Sequence, residues 1–186
     1  MQNYKENSKK MEQSKPTAFY QRAMRYGTYL GIIWAIMYIM VFNSLRVPFL
    51  GTAASVLFIC SPFIAKRFAT RYRDEEYESG MAFPQAWTFL FCTYLFATLL
   101  STFTNYIYLE FFDQGAFQMD AINIYAEAMK TPGIDEAARE QIKMIQEMIS
   151  QMSVRSMTIS LMNSNIFSSL VLPPIIALFV KKKQQL

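Results

Sequence analysis

Four long apolar stretches divide the chain, and polar or charged segments separate them. The longest runs from Phe83 to Leu109 without a charged residue. As a helix it would be about 40 Å long at 1.5 Å per residue, which exceeds the roughly 30 Å hydrocarbon core of a bilayer. The other three cover residues 26–43, 47–65 and 157–180. The pattern predicts an all-α, polytopic membrane protein with four transmembrane helices.

The segments between the spans differ in length, and their lengths predict how the helices are connected. Only Ser44, Leu45 and Arg46 lie between the first two spans. So short a link predicts an antiparallel helical hairpin. A charged link at 66–80 joins the second span to the third, and a long insertion at 110–156 joins the third to the fourth.

Within the insertion, apolar residues recur at helical spacing on both sides of the break Thr131-Pro132-Gly133. Two amphipathic helices are therefore predicted, with Asp135 as the N-cap of the second. The second helix carries a candidate interaction surface formed by Ile142, Ile145, Ile149 and Met152. Two interpretations stay open: this surface packs within the chain or on the membrane, or it binds a partner.

Charges on the flanks of the spans predict the orientation in the membrane. Residues 1–18, the first half of the 66–80 link and Lys181 to Lys183 are basic, whereas acidic residues outnumber basic ones in 110–156. Basic segments stay on the cytoplasmic side under the positive-inside rule. We therefore expect cytoplasmic termini, an extracytoplasmic helical insertion, a disordered basic arm at 1–18 and a single membrane domain at 19–183.

Composition narrows the chemistry that the chain can perform. It is 53% apolar and 16% aromatic, and it contains no histidine, which removes imidazole ligands and proton relays. Cys60 and Cys92 each lie in an uncharged run, as expected of apolar packing residues. The net charge of +4 is distributed along membrane flanks, which predicts no nucleic-acid partner. We expect neither an enzyme nor a cofactor.

Small residues predict where helices approach closely. Gly27 and Gly31, with Ala35 one turn further on, form a smooth face on the first span. This face has two interpretations, a homodimer seam or packing against another helix of the same chain. A second close contact is expected between the third and last spans. A row of serines on the last span would meet a row of small and polar residues on the third, namely Ser160, Ser164 and Ser168 against Ala97, Ser101 and Asn105.

Three methionines form a weak candidate metal site. Met144, Met148 and Met152 are four residues apart, and thioethers on one helix face suit Cu(I). Isoleucines occupy the same side of the helix, as in an adaptable apolar packing face. With no histidine in the chain, we predict no metal.

A further set of features resembles a known family. Gly80, Phe83 and Ala86 open a long aromatic span after a basic link, and a helical insertion precedes the last span. This arrangement, over roughly residues 19–183, resembles the bacterial membrane family catalogued as domain of unknown function 4199. The resemblance implies a four-helix inner-membrane protein of Bacteroidetes-type bacteria, and it implies no particular activity.

The sequence favours a protein that works through contacts over one that moves solutes. Transporters normally keep ionisable groups within the membrane, and none of the four predicted spans contains one. We therefore expect a structural, scaffold or accessory protein of the inner membrane, in contact with the lipid bilayer and with a second copy or another membrane protein. The alternative is a small-solute transporter or channel-like permease component.

Overall fold

The computed structural model describes the backbone of residues 2–77 and 80–181, and the side chains of 18–77 and 80–181. Every regular element in the described ranges is helical. The helices are α1 (Gln2–Asn43), α2 (Pro48–Glu76), α3 (Phe83–Ile107) with a π-helical continuation (Tyr108–Asp113), α4 (Ala116–Met129), α5 (Glu136–Gln151) and α6 (Val154–Val180).

Four of these segments are long and apolar enough to cross a membrane, as predicted. They are Ala18–Asn43, Pro48–Glu76, Phe83–Asp113 and Val154–Val180. The predicted all-α class with four membrane-capable helices is thereby confirmed within the described residues. Helix α1 begins well before the predicted first span, at Gln2. The side chains of 1–17 lie outside the described part of the chain, so the disordered arm stays a prediction.

Helix α2 extends through most of the predicted 66–80 link. It ends at Glu76 instead of residue 65, because no proline or glycine interrupts 66–76 and because the extra turns are buried on one side. Tyr72 stacks on Phe89 with ring centroids 3.9 Å apart. Arg22 on α1 forms salt bridges to Glu75 and Glu76. The first two helices therefore pack together beyond the predicted membrane boundary.

The four long helices form a ring in the order α1, α3, α6, α2. Helix α3 packs on α1 and α6, and α2 closes the ring by packing on the same two helices. Helices α1 and α3 run in parallel, because Gly27 lies beside Phe96 whereas Phe42 stacks on Tyr108 at the other end. The interior is filled by apolar side chains that include, from α1, α3 and α6, Leu30, Phe89, Leu90, Tyr94, Ile176 and Ala177.

The glycine face of α1 lies against α3 of the same chain. A Cβ atom added at Gly27 would lie 2.6 Å from Phe96 Cβ and 2.8 Å from the Thr93 carbonyl oxygen. A Cβ added at Gly31 would lie 3.0 Å from Leu100 Cβ. Ala35 continues the face and is buried. Of the two interpretations, the arrangement corresponds to packing within the chain.

The insertion forms two helices, α4 and α5, that pack on each other. They are separated by the predicted break, where Gly133 adopts φ = +90°. The predicted N-cap is present, since the Asp135 carboxylate accepts a 2.6 Å hydrogen bond from the Ala138 amide. Arg46, in the α1–α2 link, forms a 2.5 Å ion pair with Asp120 of α4. Helices α4 and α5 therefore lie at the same end of the bundle as the α1–α2 link.

Candidate functional site

Buried polar side chains connect α3 and α6 near the middle of both helices. The hydroxyls of Thr98 and Ser169 are 3.2 Å apart, and Ser169 also donates to the Asn165 carbonyl oxygen at 2.7 Å. Ser101 donates to the Thr98 carbonyl oxygen at 3.1 Å. Of these three, the Thr98–Ser169 contact joins the two helices, and a bond of this kind holds helices together in lipid, where apolar burial supplies little driving force. We call Thr98, Ser101, Asn105, Asn165 and Ser169 the polar belt.

One member of the polar belt is buried without a partner. Asn105 is 0% exposed, and neither its side-chain oxygen nor its nitrogen meets a hydrogen-bonding group among the described residues. A buried amide in this condition costs free energy unless water or a bound molecule satisfies it. Asn105 is therefore the member of the belt whose amide is unpaired at both ends within the described residues.

A cleft of about 300 Å³ lies between α1, α2 and α6. Its rim includes Phe58, Ile59 and Phe63, whose side chains are exposed on the outer surface of the bundle. The cleft therefore opens onto the outer surface of the bundle. Its described lining is Trp34, Met37, Tyr38, Phe58, Ile59, Ser61, Pro62, Phe63, Asn165, Ser168 and Leu172.

The floor of the cleft is polar, and most of its groups are already paired. The Trp34 indole N–H donates to Ser61 Oγ at 2.8 Å, and the Tyr38 hydroxyl donates to Asn165 Oδ1 at 2.6 Å. Asn165 is only 6% exposed, and its Nδ2 has no acceptor within the described part of the chain. We call this Nδ2 group the open donor. The cleft thus combines apolar walls with the open donor and the Ser168 hydroxyl.

The candidate interaction surface on α5 divides into two parts. Ile142, Ile145 and Ile149 are half-buried toward α4, and Gln146 Nε2 donates to the Ile122 carbonyl oxygen at 3.0 Å. Met144 and Met148 instead face outward, with 61% and 57% of their surface exposed. The isoleucines therefore hold the helix pair together and the methionines lie on its free face.

Met152 does not share a helix face with the other two methionines of the weak metal candidate. Helix α5 ends at Gln151, and Met152 follows in an extended conformation. Its carbonyl oxygen accepts a hydrogen bond from Gln118, and its side chain lines a groove shared with Ile149 and Met157. The spacing of four residues therefore does not bring the three sulfur atoms onto one face.

The serine row predicted on α6 is arranged differently from the expectation. Ser160 and Ser164 are exposed and do not meet α3, whereas Ser168 lines the cleft. The Ser164 hydroxyl donates to the Ser160 carbonyl oxygen at 3.1 Å, so the helix itself satisfies it and it can face lipid. The opposite row on α3 is buried as expected, at Ala97, Ser101 and Asn105.

Trp34 and Tyr38, which form part of the floor of the cleft, were not singled out from the sequence. Trp34, Tyr38 and Ser61 each sit in an apolar run, where aromatic and small hydroxyl residues are common. The available signal was position: Trp34 and Tyr38 lie well inside the first predicted span and Ser61 lies one turn before the end of the second, and a polar group within a span needs a partner. Asn165 lies among polar residues of the last span, which does not by itself place it in a cleft.

Comparison with known families gives one match. The family described as "Protein of unknown function (DUF4199)" matches residues 25–182, so the chain belongs to this family. The match confirms the resemblance drawn from Gly80, Phe83 and Ala86. Comparisons with curated proteins and with solved structures give no match.

Proposed function

We propose that this member of the family is a multi-pass membrane protein that acts through contacts with another membrane protein. Its role is that of a scaffold, structural or accessory subunit, and it catalyses no reaction. The observation that supports this most is the free face of the α4–α5 pair. Met144 and Met148 are exposed on α5 and Met119 on α4, and both helices also carry charged residues and lie outside the spans.

The methionines are suited to a protein contact. None of the described side chains of α4 and α5 is fully buried, although the isoleucine stripe already joins the two helices. Exposed apolar groups beyond those needed for folding mark contact sites, and methionine adapts its shape to a partner. Charged neighbours such as Glu140 and Lys143 would form the polar rim of that contact.

We further propose that the protein resides in a bacterial inner membrane with both termini in the cytoplasm. Basic residues concentrate at the end of the bundle that carries the termini, namely Arg22, Arg25, Lys66, Arg67, Arg71, Arg73 and Lys181. The positive-inside rule assigns such an end to the cytoplasm. The α4–α5 pair, at the opposite end, is then extracytoplasmic.

The contact can be tested by crosslinking in the native membrane. A photoreactive phenylalanine analogue is placed at Met148, and as a control at Phe179, an exposed side chain of α6 within the span. We expect Met148 to crosslink to one discrete membrane protein that co-purifies at fixed stoichiometry. The double substitution Met144→Glu and Met148→Glu should abolish co-purification while α4 and α5 stay folded. Crosslinks to lipid alone from both positions would contradict the proposal.

The polar belt favours a second candidate function, a small-solute transporter. Asn105 supplies both a donor and an acceptor in the bundle interior, as a route for neutral solutes requires. Proteoliposomes challenged with urea or glycerol provide the test, read by light scattering. Transport predicts faster swelling than in protein-free vesicles, and slower swelling for Asn105→Leu. Equal rates for protein and protein-free vesicles exclude this candidate for these solutes.

A further inference from the structure

We propose that the cleft between α1, α2 and α6 binds an uncharged, lipid-soluble molecule that carries a hydrogen-bond acceptor such as a carbonyl oxygen. The acceptor bonds to the open donor of Asn165, and the apolar part of the molecule lies along the walls of the cleft. This inference is independent of the protein contact at α5.

The hydrogen bonds of the floor determine what Asn165 offers to a ligand. Because its Oδ1 already accepts the Tyr38 hydroxyl at 2.6 Å, the orientation of the amide is set and the other end of the group carries the N–H bonds. That end is the open donor, and Asn165 itself is buried. In lipid no bulk water is present to satisfy such a group. The missing partner must therefore be an acceptor.

The walls determine the rest of the ligand. Met37, Phe58, Ile59, Phe63 and Leu172 are apolar, and the described lining includes no charged side chain. A charged ligand would lose its hydration without compensation. The volume of about 300 Å³ lies at the lower end of ligand pockets, which suits a small molecule or part of one chain.

Depth distinguishes this ligand from an ordinary phospholipid. Asn165 lies near the middle of α6, about 16 Å along the helix from Val154. The carbonyl groups of phospholipids lie near the surface of the roughly 30 Å hydrocarbon core. A molecule whose acceptor reaches the open donor must therefore carry it into the core, as a neutral ketone or quinone does.

Trp34 provides a built-in reporter of occupancy. The chain has two tryptophans, Trp34 in the cleft and Trp87 near the start of α3, so Trp87→Phe leaves the cleft tryptophan alone. The protein is placed in nanodiscs of phosphatidylcholine. Two quenchers are compared: a dibrominated long-chain methyl ketone and a dibrominated alkane of equal length. We expect saturable quenching by the ketone at a lower mole fraction than by the alkane.

Two substitutions on α6 then test the open donor. Asn165→Leu should weaken the apparent affinity for the ketone at least about fivefold, the factor expected from the loss of one hydrogen bond. Quenching by the alkane should be unchanged. The matched control Asn163→Leu replaces an exposed asparagine and should change neither. Equal affinities of the parent for both quenchers, or an unchanged ketone affinity in a folded Asn165→Leu variant, would overturn the proposal.

A second variant covers the case in which Asn165→Leu does not fold. Ser168→Leu fills the cleft from α6 and leaves the Tyr38–Asn165 hydrogen bond in place. Saturable quenching by the ketone should then be lost. Its persistence at the parental affinity would show that the ketone reaches Trp34 from the bulk lipid and not from the cleft.

Discussion

The Tyr38 hydroxyl donates a 2.6 Å hydrogen bond to Oδ1 of Asn165, which lies 127 residues further along the chain. The bond joins α1 to α6, two helices that both pack on α3 and α2. It also leaves the open donor, on a residue that lines the cleft, as the end of the Asn165 amide without a partner among the described residues. The hydrogen bond that joins the two helices therefore also fixes the amide group of the proposed ligand site.

Removing this hydroxyl tests its structural contribution. Tyr38→Phe leaves the Asn165 oxygen without its partner, and we expect a loss of about 1–2 kcal/mol of unfolding free energy. Unfolding in mixed micelles with increasing SDS measures the change. Tyr20→Phe, at an exposed position of the same helix, is the control and should behave as the parent. Equal stability of all three proteins would show that the bond contributes nothing measurable.

The glycine face predicts an order of effects. Gly27→Ala places its Cβ 2.8 Å from the Thr93 carbonyl oxygen, a backbone atom that cannot move alone, so we expect a cost of about 1–3 kcal/mol. Gly31→Ala should lower the free energy of unfolding less, because the added Cβ atom comes no closer than 3.0 Å to a neighbouring atom. Thr28→Ala, at an exposed position, is the control. The same SDS titration ranks the variants.

The oligomeric state separates the two interpretations of that face. Packing within the chain predicts that Gly27→Ala lowers stability without changing the mass of the particle in mild detergent. Dissociation of a parental dimer by this substitution would instead favour a homodimer seam.

The half-buried stripe of α5 is expected to hold the outer helix pair together. Ile145→Asp places a carboxylate between α4 and α5 and should destabilise the pair by about 1–3 kcal/mol, while the four spans stay inserted. Met144→Asp introduces the same charge one residue earlier on the exposed face and should have little effect. Limited proteolysis of membranes measures the difference. Equal resistance of both variants to protease contradicts an internal role for Ile145.

The orientation in the membrane can be tested with single cysteines in a background lacking Cys60 and Cys92. Gln141→Cys, exposed on α5, should react with an impermeant maleimide in intact spheroplasts. Ala82→Cys, exposed before α3, should react only after lysis. Both expectations follow from the positive-inside rule. The reverse labelling pattern would invert the proposed topology.

Much of the fold could be predicted from local pattern. The uncharged runs located the four membrane-capable helices, the proline and glycine of residues 131–133 located the break between α4 and α5, and Asp135 identified a cap that the structure shows. The helix ends were less predictable. Helix α2 continues to Glu76 because Tyr72 gains a stacking partner in Phe89, a residue that lies on another helix.

By itself the sequence determined the membrane class, the number of long apolar helices and the family. The class and the helix number follow from hydrophobicity along one segment at a time, whereas the family follows from the resemblance, which the match over residues 25–182 confirms. The tertiary structure alone decided that Gly27 faces α3, that Ser164 faces outward while Asn165 faces inward, and that Trp34, Tyr38 and Ser61 form one floor. The physical reason is that adjacent residues point in directions about 100° apart around the helix axis. In an apolar span all faces are similarly hydrophobic, so the sequence does not show which face is buried. Packing against the other helices selects the buried face.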